Sequence, residues 1–244
     1  MNEGRALSQR NASGFKSARI SDRLTCDTTR PMRHPLLPAA SLYVITDGPR
    51  PDLAEAAAAA LRGGAALLQY RDKTTDTTRR LAEARLLLNL CTEAGALFVV
   101  NDDVDLALAC GARAVHLGAD DADLATARRR LGTDAVIGVS CYDDLERAQR
   151  LAAAGADYLA FGAFYPSPTK PLARRADIGL LRASAEFGLP RVAIGGINPD
   201  NATPLIEAGA DYLAVVSEVF GQPDPCEAAR RFGSLFPASA KVSA

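Results

Sequence analysis

Gly155-Ala156-Asp157-Tyr158-Leu159-Ala160 and Gly209-Ala210-Asp211-Tyr212-Leu213-Ala214 are the same six residues in the same order. In each copy glycine stands where a helix should stop and an apolar run begins, because glycine enters the left-handed conformation at little cost. Gly64-Ala65, Gly95-Ala96 and Gly111-Ala112 repeat that join. A helix stop followed by a short β-rich run, met again and again, is the mark of repeated βα units. Eight such runs are predicted, over residues 42–46, 66–70, 97–101, 114–117, 136–140, 158–162, 191–195 and 212–216. Their near-continuous apolar character suits parallel strands covered on both faces. Between them, helices are predicted over 51–62, 75–94, 103–110, 121–131, 143–154, 177–187, 199–208 and 223–235. Asp143 before Leu145, Ala148 and Leu151, and the pair Asn198-Pro199, supply helix-start signals. Eight beats favour an α/β chain folded as a (β/α)8 TIM barrel. The alternative, an open doubly wound sheet, wants a GxGxxG turn after the first strand, where Thr46-Asp47-Gly48-Pro49 stands.

Composition narrows the function classes. A net charge of -1 over 244 residues leaves no basic footprint for nucleic acid, and Arg128-Arg129-Arg130 reads as a solvated helix face. No apolar stretch approaches a membrane span; the longest, from Leu53 to Leu61, is interrupted by Glu55. Five cysteines without CxxC spacing are neither a disulfide frame nor a zinc site, and suit a reducing, cytoplasmic compartment. Residues 1–34 are rich in Arg, Ser, Thr and Asn, with no sustained apolar period, and are predicted to be a disordered extension. Residues 1–31 raise the question of an overlong start, since Met32 is the only methionine besides Met1. A transit peptide is the alternative, against which Glu3, Asp22 and Asp27 count. Residues 35–244 then form one catalytic domain.

In a barrel, chemistry belongs where the strands end at their C-terminal side. Gln69, Arg71 and Lys73 share one face at such an end, since strand residues alternate, and Tyr70 and Asp72 share the other. One amide and two cations there suit an anionic ligand. Asp102 and Asp121 sit at neighbouring strand ends, each suited either to Mg²⁺ or to capping the next helix; the pair, facing cations, favours the metal. Asp103 and Asp120 read as caps or first-turn acids. Gly195-Gly196 and Val216-Ser217 follow strands seven and eight, where barrels hold phosphate; a tight turn would use the glycines equally well. Ser167, Thr169 and Lys170, on a loop stiffened by Pro168, offer a second anion clamp or an ordinary surface loop. His116 reads as a packed, hydrogen-bonded histidine rather than a catalyst. Residues 162–175 read as a mobile lid.

Seven segments, in order, resemble the thiamine-phosphate synthase family. They are Gln69-Tyr70-Arg71-Asp72-Lys73, Asn101-Asp102, Val115-His116-Leu117-Gly118, Ile137-Gly138-Val139-Ser140, Phe161 through Lys170, Val192 through Ile197, and Val215-Val216-Ser217. The resemblance implies a Mg²⁺-assisted transferase acting on two small molecules. It joins hydroxymethylpyrimidine diphosphate to hydroxyethylthiazole phosphate and releases pyrophosphate. It implies that the segment Gln69, Tyr70, Arg71, Asp72 and Lys73, with Asn101, holds the pyrimidine diphosphate, and that Asp102 and Asp121 bind Mg²⁺. Ser140 and Lys170 would contact the diphosphate substrate, and Arg71 and Lys73 would share the catalytic role with them. Ser167, Pro168 and Thr169 would meet the thiazole phosphate, with Gly196, Val216 and Ser217 completing its cradle. A homo-oligomer is compatible with this reading.

Two departures stand out: Ala119 where the family often has Gln, and Ser167 where it commonly has Thr. Neither removes a metal ligand or a cation. The rival readings are a thiazole tautomerase, which would not need this cation set, and a catalytically silent phosphate-binding barrel.

Overall fold

The structure, a computed structural model, describes residues 33–118, 123–166 and 175–236. Eight parallel strands close into a barrel in sequence order. They are β1 (Ser41–Ile45), β2 (Ala65–Tyr70), β3 (Leu97–Asn101), β4 (Ala114–Leu117), β5 (Val136–Tyr142), β6 (Tyr158–Phe161), β7 (Arg191–Ile194) and β8 (Tyr212–Val215). The helices around it are α1 (Leu53–Arg62), α2 (Thr77–Ala94), α3 (Val104–Cys110), α4 (Leu124–Leu131), α5 (Leu145–Ala153), α6 (Gly179–Ala183), α7 (Thr203–Glu207), α8 (Ser217–Phe220) and α9 (Pro225–Gly233), with a 3₁₀ turn at Ser184–Phe187 after α6. The barrel predicted from the repeat is the barrel observed. Glycines 64, 95, 111, 155 and 209 all take positive φ, as the repeated join requires.

Aspartates start the helices that follow the strands. Asp76, Asp103, Asp123 and Asp144 each accept a hydrogen bond from the amide three residues on, which satisfies one of the orphan donors of a first turn. Two predicted starts are corrected. The cap of α5 is Asp144, not Asp143, and Asn198 closes a turn by accepting from the amides of Asp200 and Asn201, so that α7 begins only at Thr203. The short α8 was not predicted.

Alternation along the strands divides the apolar residues between two layers. One layer, with Leu42, Val44, Leu68, Val100, Val115 and Phe161, packs against the helices. The other fills the barrel and includes Tyr43, Leu67, Val99, Tyr158, Val192 and Tyr212. His116, Gly138 and Tyr158 are register partners on three successive strands. A side chain on Gly138 would run into the Tyr158 ring. Glycine there lets Tyr158 lie across the interior and stack on His116, ring centroids 5.6 Å apart.

At the N-terminal end, the repeat explains itself. Asp157 accepts from the amide of Ile137 at 2.7 Å, and Asp211 accepts from that of Arg191 at 2.9 Å. Each repeat aspartate thus fastens the start of its neighbouring strand, and the tyrosine that follows enters the barrel. Arg128 pairs with Asp157, so it belongs to this fastening rather than to the solvated face expected of the arginine run. Arg33 pairs with Asp211 at 2.7 Å, and Leu37 joins the interior layer. Arg33, from within the stretch read as an extension, thereby reaches the floor. The rest of the predicted extension, residues 1–32, lies outside the described residues.

Candidate functional site

The closed parallel barrel brings the ends of β2, β3, β5, β7 and β8 to one mouth. Arg71, Lys73, Asn101, Asp102, Ser140, Gly196, Val216 and Ser217 are therefore neighbours around a single rim, as the sequence reading requires. Asp121, Ser167, Pro168, Thr169 and Lys170 lie outside the described residues, as does most of the predicted lid.

The β2 end is held from behind. Thr46, fully buried, accepts from the amide of Arg71 at 2.8 Å and donates to its carbonyl at 3.1 Å. Tyr70 and Asp72 face the opposite way, toward α2. Tyr70 donates to Glu83 at 2.6 Å, and Asp72, its side chain only 1% exposed, pairs with Arg79 at 2.6 Å. Burial would raise the Asp72 pKa, but the bonds from Thr74 and Arg79 outweigh it and hold the carboxyl below its usual range. Burial, followed by the Glu83 carboxylate, pushes the Tyr70 hydroxyl well up. The side chains of these two residues thus buttress the segment from behind, as the alternation already implied.

Arg71, its backbone pinned at the end of β2, carries a guanidinium that meets no partner among the described residues. Lys73, 65% exposed, stands 3.6 Å from Asp102. So exposed an ion pair is worth at most about 1 kcal/mol and yields readily to a ligand. Asp102 takes φ +63°, a left-handed conformation that costs a non-glycine residue roughly 1–3 kcal/mol, less for aspartate than for most. Its amide donates to the His116 carbonyl, and Asn101 donates to its carboxylate at 2.6 Å. Lys73, Asn101, Asp102 and Arg80 also line a cleft of about 390 Å³ beside the mouth. Asp103, by contrast, caps α3 and pairs with Arg80, as a cap should.

Ser140 is followed by a strand irregularity, and Arg147 of α5 grips its carbonyl at 2.8 Å and that of Gly118 at 3.3 Å. Its hydroxyl bonds His116 Nε2 at 2.9 Å. Gly196 takes φ +64°, and a Cβ there would meet the carbonyls of Tyr165 and Pro166. Its glycine lets the chain leaving β6 cross the end of β7. On the β8 side, Ser217 opens α8, whose first amides have no acceptor within the helix. The sequence reading missed Thr46, Arg79 and Arg147, which hold the site from outside, and the interior tyrosines. Only the alternation signal pointed to any of them, through the outward face of Tyr70 and Asp72.

A magnesium ion takes one or two carboxylates and fills its sphere with water and substrate phosphate oxygens. Among the described residues no three His, Cys, Asp or Glu side chains cluster as metal ligands. Asp102, a hard-oxygen donor at an open rim lined by cations, fits that sparse mode of binding. The remaining titratable candidates are inert: burial raises Cys91 and Cys141 to about 12, so neither is a thiolate at neutral pH. No helix among the described residues is long and apolar enough to cross a membrane.

Comparison with known proteins agrees with this geometry. The family model for thiamine monophosphate synthase matches residues 42–219. The thiamine-phosphate synthase of Halorhodospira halophila is 57% identical over 193 residues, 79% of this chain and 92% of that protein. That of Chromobacterium violaceum is 53% identical over 197 residues, 80% of this chain and 95% of its own. Among solved structures, thiamine phosphate pyrophosphorylase from Pyrococcus furiosus superposes with a TM-score of 0.73 at 38% identity, covering 80% of this chain and 95% of that one. A 3-hexulose-6-phosphate synthase, at 17% identity and TM-score 0.61, shares the fold alone.

Proposed function

The chain belongs to the thiamine monophosphate synthase family, and on that footing we propose how its barrel mouth carries out the family's transferase reaction. The pyrimidine diphosphate enters with its diphosphate over Arg71 and Lys73. The pyrophosphate group leaves, and the ring nitrogen of the thiazole phosphate takes its place on the pyrimidine's methylene carbon. Departure demands that negative charge gathering on the leaving oxygens be met by fixed positive charge, far more than it demands a strong base. The observation that carries this reading is Arg71, pinned at its backbone and without a partner at its guanidinium among the described residues.

Mg²⁺, held by Asp102 with Asp121, would supply Lewis-acid neutralisation of the same oxygens. Lys170 meets the diphosphate from another side, the Ser140 hydroxyl contacts the same substrate, and Asn101 steadies the Asp102 carboxylate. Gln69 contacts the pyrimidine. Ser167 and Thr169, either side of Pro168 in the sequence, with the backbone at Gly196, Val216 and Ser217, take the thiazole phosphate. Residues 35–244 act as one catalytic domain. A reducing cytoplasm suits the four described cysteines, all free.

The test is to incubate the purified chain with both substrates and Mg²⁺. Thiamine monophosphate and pyrophosphate should appear in equal amounts, stop on chelation and resume when Mg²⁺ is restored. Isomerised thiazole without pyrophosphate, or turnover indifferent to chelation, would contradict the reading.

A further inference from the structure

Gln69 on β2 and Ser140 on β5 are joined through the barrel by an unbroken line of hydrogen bonds. Gln69 Nε2 donates to the Tyr43 hydroxyl at 2.7 Å. The Tyr43 and Tyr158 hydroxyls lie 2.9 Å apart, Tyr158 lies 3.0 Å from His116 Nδ1, and His116 Nε2 lies 2.9 Å from Ser140 Oγ. Tyr43 and Tyr158 are buried to within 1% of complete, and His116 is 9% exposed. No water-filled surface interrupts the line.

Each phenol has one proton, so once Gln69 Nε2 donates to Tyr43 the direction of every other bond follows. Tyr43 accepts from Gln69, so its own proton goes to Tyr158, its other partner. Tyr158 must then donate to His116 Nδ1, which must be bare. The imidazole proton is on Nε2 and goes to Ser140, whose own proton is left for the mouth. At the opposite end, Gln69 is 2% exposed and its Oε1 accepts nothing among the described residues, which leaves that oxygen as the acceptor at this end of the line. Reversing one bond alone sets two donors or two acceptors against each other. In a dry interior that disfavours the mixed arrangement by roughly tenfold to a hundredfold.

We propose that Tyr43, Tyr158 and His116 are positioning residues that tie the polarity of the Gln69 amide to that of the Ser140 hydroxyl, so that the mouth shows an acceptor on the β2 side and a donor on the β5 side as a matched pair. Such a pair selects a heteroaromatic that carries an exocyclic amino group, and rejects the analogue with an oxo group in its place. The oxo oxygen would face Gln69 Oε1, and turning the amide would require four further groups to reverse with it. Gly138 belongs to the device, because its missing side chain is what lets Tyr158 reach His116. That the selected ring is the pyrimidine rests on the functional reading above; the polarity of the line does not.

The closing experiment therefore has two readouts. The first is ¹⁵N NMR of the full chain labelled at histidine, with His34 identified by a His34→Gln variant. His116 should be a single neutral tautomer protonated at Nε2, and Tyr43→Phe, which cuts the line from Gln69, should mix the tautomers. Protonation at Nδ1, or a tautomer indifferent to Tyr43→Phe, would overturn the proposal. The second is the ratio of kcat/KM for the aminopyrimidine diphosphate over its deaminated oxo analogue. Tyr158→Phe should lower that ratio about tenfold, with KM for the thiazole phosphate unchanged. Should Tyr158→Phe fail to fold, Tyr43→Phe gives the same measurement. An Nε2 tautomer with an unmoved ratio would leave the line intact, take Gln69 out of the pyrimidine site and so overturn the selective role.

Discussion

At the floor of the barrel charge meets charge: Asp157 is held by Arg128 and a backbone amide, and Asp211 by Arg33 and another. At the mouth the same residue types are left unfinished. Arg71 has no partner among the described residues, Lys73 holds Asp102 only at 3.6 Å, and Asp102 occupies a strained left-handed backbone. One set of strands therefore ends in a rim whose polar groups are paired by the fold and in another that carries the proposed ligand site. The contrast separates stability from activity in space, as a barrel allows.

Substitutions at the two rims should break apart along that line. Asp102→Asn keeps the size of the side chain and its tolerance of the left-handed backbone but removes the charge proposed to hold Mg²⁺. It should lower kcat about a hundredfold or more at saturating Mg²⁺, with Tm little changed; steady-state assay and calorimetry read both. Gly138→Ala attacks the interior that both rims share, forcing the Tyr158 ring from its place. Overpacking of this kind costs about 1–3 kcal/mol, at roughly 2–4 °C of Tm per kcal/mol for a chain of this size. Thermal unfolding should show the loss, together with reduced discrimination between pyrimidine substrates. Asp211→Asn, at the floor, should cost about 1–2 kcal/mol through its weakened charged bonds and leave kcat within twofold. Smallest of all, Tyr70→Phe removes the hydrogen bond to Glu83. About 1 kcal/mol of stability should go with it, again with kcat nearly intact, because the Tyr70 hydroxyl is turned toward α2.

The strands were legible to within two residues at either end because eight buried parallel runs leave a continuous apolar signal, punctuated by glycines with one job each. The short helix α8 was not, since Ser217–Phe220 is a single turn and shows no period. For Arg71, Lys73 and Asp102, placement followed from position alone: they end strands, and strand ends of one sense share a mouth. What strand position could not reveal was which groups satisfy one another. Asp157 and Asp211 read as part of a repeat, yet their partners come from a neighbouring strand, from α4 and from a residue assigned to an extension. Likewise Tyr43 and Tyr158 looked like ordinary strand residues. Their hydroxyls meet only because the barrel closes, bringing positions 115 residues apart to 2.9 Å.

The central claim, that the mouth is the anion site and the floor is not, is tested most directly by titrating Mg²⁺-pyrophosphate into the protein by calorimetry. Arg71→Gln should weaken binding about tenfold or more, as loss of a charge-assisted bond to phosphate does, while Arg33→Gln should leave it unchanged. Equal weakening by both, or by Arg33→Gln alone, would contradict the account.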